Sequence, residues 1–144
     1  MSVDSKAEIV IERPRSEVAK FMFDPKCDPI WMSGVSKSFP MESGLLAKDA
    51  RVNRDGTFLG RKYSAKVVVV SAVPDTSLKL SSDEPFELTT TYDLEDVDGG
   101  TKVKLRVQGI AEDQYKVPPA VLIKAMTETL NEDLKRLKRH IELQ

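Results

Sequence analysis

The sequence predicts an α+β fold in which a seven-stranded antiparallel sheet packs against one long C-terminal helix. Three observations lead to this prediction. Residues 35–111 alternate between apolar and polar in six runs, one further alternating run opens the chain, and an amphipathic stretch follows Pro118-Pro119. Short turns separate the six runs, and turns of that length join antiparallel neighbours, whereas parallel strands require long crossovers.

The N-terminal part predicts one strand and two short helices. Residues 6–12 form the strand, with Ala7, Ile9 and Ile11 on one face. Pro14 opens a helix over residues 14–23, because proline suits the first helical turn and the apolar residues that follow recur at helical spacing. Residues 27–34, which carry the apolar residues 30–32 between Pro29 and Gly34, predict a second short helix or helical turn.

The middle of the chain predicts the remaining strands. They cover residues 35–42, 50–57, 62–73, 78–82, 86–95 and 101–111, and turns such as Asp98-Gly99-Gly100 separate them. In the fifth of these runs Phe86, Leu88 and Tyr92 share one face while polar and charged residues occupy the other. One face of the sheet is therefore expected to meet solvent.

The C-terminal stretch predicts a helix from Pro119 to about Leu143. Its apolar residues recur at intervals of three and four: Ile123, Met126, Leu130, Leu134, Leu137 and Ile141. At ~1.5 Å per residue this helix is roughly 37 Å long. It must cross the sheet and cover it on one side.

Composition limits the classes of function. The chain has 144 residues, 40% of them hydrophobic and 31% charged, which predicts one domain spanning residues 1–144. The net charge of −1 disfavours a nucleic-acid partner. A single cysteine and a single histidine give no disulfide and no metal site, and the start of the chain lacks an apolar leader segment. We therefore expect a cytoplasmic protein without cofactor, metal or membrane insertion, monomeric or weakly dimeric.

Several short segments recur in the order found in a known superfamily. They are residues 9–18, which read strand, proline, helix; residues 24–31, which end in Trp31; Gly60-Arg61; residues 69–74; Thr91-Tyr92-Asp93-Leu94; and Gly100-Thr101-Lys102-Val103. In this order the chain resembles the START/SRPBCC superfamily, in particular its polyketide cyclase/dehydrase-like branch, whose helix-grip fold is shared with the birch-pollen allergen. The resemblance implies a curved sheet around the long helix and a mostly apolar cavity between them that binds a small hydrophobic or amphipathic molecule.

Candidate site residues are those expected on the inner faces. The predicted ligand-binding residues are Trp31, Met32, Phe58, Tyr63, Ser71, Thr90, Tyr92, Met126 and Leu130. Tyr92 and Arg54 are the candidate catalytic residues. Two interpretations of Tyr92 stay open: its hydroxyl faces the cavity, or it fills the core and bonds the backbone. Arg54 is in phase with the inner face, but a bulge or twist would turn it outward, and we expect it to be exposed.

Other reactive residues favour no catalytic site. His140 falls in the last turn of the long helix, where the helix dipole favours a positive charge. Cys27 has no neighbouring cation in the sequence to lower its pKa. Residues 96–100 lack the ligand pattern of a calcium loop and predict a hairpin turn.

Three functions remain from the sequence. The first is binding of a small hydrophobic molecule between the sheet and the helix. The second is a polyketide cyclase or dehydratase that orients a flexible substrate and moves protons through Tyr92 and Arg54. The third is a protein-interaction module resembling the chaperone-activator branch of the superfamily, which would expose an apolar patch.

Overall fold

A computed structural model describes residues 2–111 and 115–144. Its elements follow the predicted order of one strand, two short helices, six strands and a long helix. They are β1 (Ser2–Ile11), α1 (Arg15–Met22), α2 (Asp28–Trp31), β2 (Val35–Pro40), β3 (Arg51–Phe58), β4 (Arg61–Val73), β5 (Ser77–Ser82), β6 (Glu87–Val97), β7 (Gly100–Ile110) and α3 (Pro119–Glu142). The predicted α+β helix-grip fold is confirmed.

All seven strands belong to one antiparallel sheet with the order β1-β7-β6-β5-β4-β3-β2. Strands β2 to β7 follow one another as a meander, and β1 pairs with β7 from Ser2↔Ile110 to Ile11↔Thr101. The last strand thereby bonds to the first, and the edges of the sheet are β1 and β2. In the tight hairpin between β6 and β7, Gly99 adopts a φ of 81°, a conformation that glycine takes without steric cost.

Two N-terminal elements differ in length from their predictions. Strand β1 begins at Ser2 rather than at residue 6, and a buried serine, Ser5, interrupts the apolar alternation that would have revealed this. The second helix is shorter than the predicted residues 27–34. It consists of a 3-10 turn (Pro25–Cys27) and α2, and it ends where Met32 takes an extended backbone conformation. The chain can therefore enter β2 almost directly.

Helix α3 buries one face along its length. The buried apolar residues are Leu122, Met126, Leu130, Leu134, Leu137 and Ile141. The predicted stripe is confirmed except at its start, where Leu122 and not Ile123 is fully buried. Asp133 is also buried, beside Leu134. No helix in the described ranges is both long and apolar enough to cross a membrane.

Candidate functional site

A cavity of about 100 Å³ lies between the inner face of the sheet and α3, with the end of α2 beside it. Residues of six strands, β2 to β7, and of the helices α2 and α3 line it. The residues around it are Trp31, Met32, Gly34, Val35, Arg54, Thr57, Phe58, Tyr63, Ala65, Val67, Leu80, Ser82, Glu84, Pro85, Leu88, Thr90, Tyr92, Leu105, Val107, Met126, Thr129, Leu130 and Asp133. The wall is mostly apolar, with a few polar groups, as a site for a small organic molecule requires.

Eight of the nine predicted ligand-binding residues line this cavity. They are Trp31, Met32, Phe58, Tyr63, Thr90, Tyr92, Met126 and Leu130. The alternation of the strands and the spacing of the helix predicted their faces, and the curvature of the sheet brings them together. Their role in binding remains a prediction.

Ser71 lies outside the cavity, so its predicted position on the inner face is wrong. A bulge in β4 is the cause. Val69 pairs with Leu80, but Ser71 already pairs with Lys79, which leaves Val70 as the extra residue. The bulge reverses the phase of the strand, and Ser71 is exposed.

Arg54 is buried, so its predicted exposure is also wrong. Strand β3 pairs with β4 from Arg51↔Val68 to Phe58↔Arg61 without a register shift, and the inward phase that Val52 sets is kept at Arg54. The guanidinium reaches Asp28 at the start of α2, where its Nε donates to Oδ2 at 2.8 Å. A buried partner of opposite charge makes burial of the arginine tolerable.

Arg54 connects Asp28 to Tyr92 in a buried polar cluster. Its Nη2 donates to the Tyr92 hydroxyl oxygen in a long hydrogen bond of 3.5 Å, and the Ser38 hydroxyl donates to Asp28 Oδ2 at 3.1 Å. Burial raises the pKa of Tyr92 to about 12, with Arg54 opposing the shift. The phenol is therefore protonated at neutral pH, where it can donate a hydrogen bond but cannot act as a base.

Asp133 is a second buried carboxylate, contributed by α3. The backbone N–H and the hydroxyl of Ser33 donate to its Oδ1 at 2.7 and 2.6 Å. Burial raises the pKa of Asp133 to about 6, while the bonds from Ser33 lower it. No cation forms an ion pair with this carboxylate among the described residues.

Trp31 combines full burial with an unsatisfied donor. Its ring packs edge-on against Tyr92 with the ring centroids 5.8 Å apart. Within the described ranges its Nε1–H has no hydrogen-bond partner, and neither has Oδ1 of Asp28. Buried polar atoms without partners are rare in folded proteins and often mark a place that a water molecule or ligand occupies.

The surroundings of His140 and Cys27, which lie outside the cavity, do not make either residue reactive. His140 stacks on Phe21 with the ring centroids 4.4 Å apart. Burial and the nearby Asp24 and Asp28 raise the pKa of Cys27 to about 11, so the thiol is protonated at neutral pH. Across residues 2–111 and 115–144 no group of three or more histidine, cysteine, aspartate or glutamate side chains could hold a metal ion.

Sequence reasoning missed two polar residues of the site, Asp28 and Asp133. Both lie among apolar neighbours. Asp28 stands three residues before Trp31, and Asp133 interrupts the buried stripe of α3 between Leu130 and Leu134. The sequence did carry one signal, a carboxylate within an apolar face. Such a residue is almost never fully buried without a partner, so its position indicates a polar contact inside the fold.

Residues 41–142 match the family model described as Activator of Hsp90 ATPase homolog 1-like protein. The chain belongs to this family. The match covers most of the chain and confirms the predicted START/SRPBCC superfamily, of which the family is a member. No curated protein sequence matches the chain.

Solved structures share the fold at low sequence identity. A START superfamily protein from Mycobacterium smegmatis superposes with a TM-score of 0.79 at 13% identity, over 99% of this chain and 97% of the other. The KanY protein (ms6282) gives 0.77 at 17% identity, over 99% of both chains. Ara h 8.0201 gives 0.73 at 12% identity, over 100% of both. These superpositions show that the chain shares its fold with the three proteins.

Proposed function

We propose that this protein binds a small hydrophobic or amphipathic molecule in the cavity between the sheet and α3. The observation that carries the proposal is the cavity itself: about 100 Å³ of space, walled mainly by apolar side chains, where a filled core would be the alternative. Protein interiors are close-packed, and voids larger than a water molecule are few. Retaining this one costs stability, which bound ligand would restore.

The volume limits the size of the molecule. Cavities for drug-sized ligands span roughly 300–1,000 Å³, whereas an engineered apolar cavity of about 150 Å³ accepts benzene. The space here fits a molecule of about one aromatic ring, or part of a longer molecule whose remainder extends past the cavity rim. Single-ring compounds are therefore the probes to begin with.

The first test is a native mass spectrum of the freshly purified protein, followed by thermal unfolding with toluene, phenol and indole. We expect a small-molecule adduct that denaturation removes, or a midpoint that rises with probe concentration as RT ln(1+[L]/Kd) predicts. Ala65 is buried against the cavity, so Ala65→Leu fills part of the space and should weaken binding at least tenfold.

Val68→Leu is the matched control. It enlarges a side chain on the opposite, solvent-facing side of the same strand, where Val68 is 41% exposed, and should leave binding unchanged. A bare native mass together with no response to any of the three probes would count against a binding function. Unchanged binding in Ala65→Leu would place the site outside this cavity.

The family match favours a second candidate, contact with an Hsp90-type chaperone and stimulation of its ATPase. The family takes its description from such an activator. Edge strand β2 and the segment after it expose Phe39, Met41 and Leu45, each by 44% or more. An edge strand with exposed apolar side chains is a surface on which a partner can dock.

This candidate is tested by the ATPase rate of purified Hsp90 with and without the protein. Stimulation that the double variant Phe39→Ser, Met41→Ser abolishes would support it. The control is Leu143→Ser, which removes an 80% exposed leucine at the far end of α3. An ATPase rate that does not respond to the wild-type protein would reject the candidate.

A further inference from the structure

Two unpartnered polar atoms of opposite kind belong to residues that line the cavity. Asp133 is 4% exposed, and both hydrogen bonds from Ser33 go to its Oδ1, so Oδ2 accepts none from the described residues and, unlike Nε1 of Trp31, is not fully enclosed. Trp31 is fully buried, and its Nε1–H has no acceptor there. Ser33 follows Trp31 by two residues, so its bond to Asp133 holds both groups at the end of α2.

We propose that the cavity binds its ligand through a hydroxyl group, which donates to Oδ2 of Asp133 and accepts from Nε1 of Trp31. This deepens the proposed function and rests on it. A hydroxyl supplies one donor and two acceptor lone pairs, so a single group satisfies both atoms. The ligand class is a small apolar molecule, about one ring in size, that carries a phenol or alcohol.

Other polar groups fit the two atoms less well. A ketone or ester only accepts, so it would leave Asp133 unsatisfied, and an ammonium only donates, so it would leave Trp31 unsatisfied. A carboxylate would meet the negative charge of Asp133. The nearby cation, Arg54, cannot offset that repulsion, because it is already paired with Asp28 at 2.8 Å.

The bond to Asp133 is the stronger of the two. Hydrogen bonds to an ionised acceptor are about twice as strong as neutral ones, and a site built around a hydroxyl rejects an analogue that lacks it, since buried groups are then left without partners. Toluene replaces the hydroxyl of phenol by a methyl group of nearly the same size. The ratio of the two dissociation constants therefore isolates the hydroxyl.

The experiment is calorimetric titration of the wild type, Asp133→Asn and Glu132→Gln with phenol and toluene. Asparagine preserves the shape and the acceptor for Ser33, but it places an NH₂ where Oδ2 was. We expect the preference for phenol over toluene to fall about tenfold in Asp133→Asn. Glu132→Gln removes the neighbouring, exposed carboxylate of α3 and should leave the ratio as in the wild type.

The wild type alone supplies a second measurement. The chain has one tryptophan, so an ¹H–¹⁵N spectrum of the ¹⁵N-labelled protein contains one indole N–H signal, that of Trp31. Phenol should move this signal downfield as the N–H gains an acceptor, whereas toluene at equal occupancy should not. This readout does not depend on any variant folding.

The outcomes separate the two proposals. If neither phenol nor toluene binds the wild type, the proposed function and this inference both fail for ligands of this size. If both bind but the ratio is the same in Asp133→Asn and the indole signal does not move with phenol, the cavity binds ligands without a hydroxyl contact and only this inference fails. If benzylammonium binds more tightly than phenol, the proposed hydroxyl contact is wrong and the site prefers a cationic group.

Discussion

At the scale of single residues, the site depends on how each buried charge is compensated. Asp28 has Arg54 at 2.8 Å and the Ser38 hydroxyl as partners, whereas among the described residues Asp133 accepts hydrogen bonds only from the two donors of Ser33. A buried ion pair is costly to break, because removing one partner leaves the other as an uncompensated charge. The Asp28–Arg54 pair therefore fixes the position of α2 against β3, while Asp133 keeps capacity to bind something else.

The pKa of Asp133 makes stability depend on pH in a definite direction. The folded value of about 6 lies above the ordinary 3.8, so between these values the folded protein binds the proton more tightly than the unfolded chain. Asp133 therefore makes its full contribution to the free energy of unfolding below about pH 4. The contribution falls as the pH rises to about 6, and it does not change further at higher pH. The total loss is about 3 kcal/mol. Asparagine is uncharged at every pH, so the Asp133→Asn variant should not lose this stability as the pH rises.

We expect Asp133→Asn to be more stable than the wild type at pH 7.5, by about 1–3 kcal/mol, because the amide retains an acceptor for Ser33. Urea unfolding of both proteins between pH 4 and 8 measures this. The difference in unfolding free energy should grow from pH 4 to about 6 and then remain constant. A difference independent of pH, or a less stable variant at pH 7.5, would show that the ionised Asp133 carboxylate does not destabilise the folded protein.

At the scale of elements, periodicity predicted most of the strands and the long helix but not the interruptions within them. The pairing of β6 with β7 continues without a register shift, and Tyr92 of β6 is buried on the face predicted for it. Strand β4 instead contains four consecutive valines, residues 67–70, which do not show which face is buried, and the bulge at Val70 reverses the faces of the residues after it. One extra residue changes no composition and no spacing of apolar residues that a pattern can detect, so Ser71 was misplaced.

The polar part of the site could not be predicted from local patterns, because its contacts join distant elements. Arg54 meets Asp28 from 26 residues away, and Ser33 meets Asp133 from 100 residues away. Periodicity reports which face a residue occupies and carries no information about its partner across the fold. The sequence did not show this partner, so the prediction that a twist or bulge turns Arg54 outward had nothing to oppose it.

At the scale of the whole molecule, packing is uneven along α3. The C-terminal half of the helix packs through Leu137 and Ile141, both buried to 3% exposure or less, in a part of the core away from the cavity. The N-terminal half places Met126 and Leu130 against the cavity. The core is thus closely packed around the C-terminal half of α3, whereas the cavity lies against its N-terminal half.

Two leucines on this helix test that division. Leu137→Ala removes atoms from a closely packed region and should cost toward the upper end of the range of about 2–5 kcal/mol for such changes. Leu130→Ala should cost at least about 1 kcal/mol less, because part of that side chain already faces empty space and loses fewer contacts. Urea unfolding of both variants without added ligand measures the difference, and equal costs would mean that the core is packed uniformly.

Saturating phenol should stabilise Leu137→Ala as much as it stabilises the wild type, since the cavity is intact in that variant. It should stabilise Leu130→Ala by a different amount, since the cavity wall is changed there.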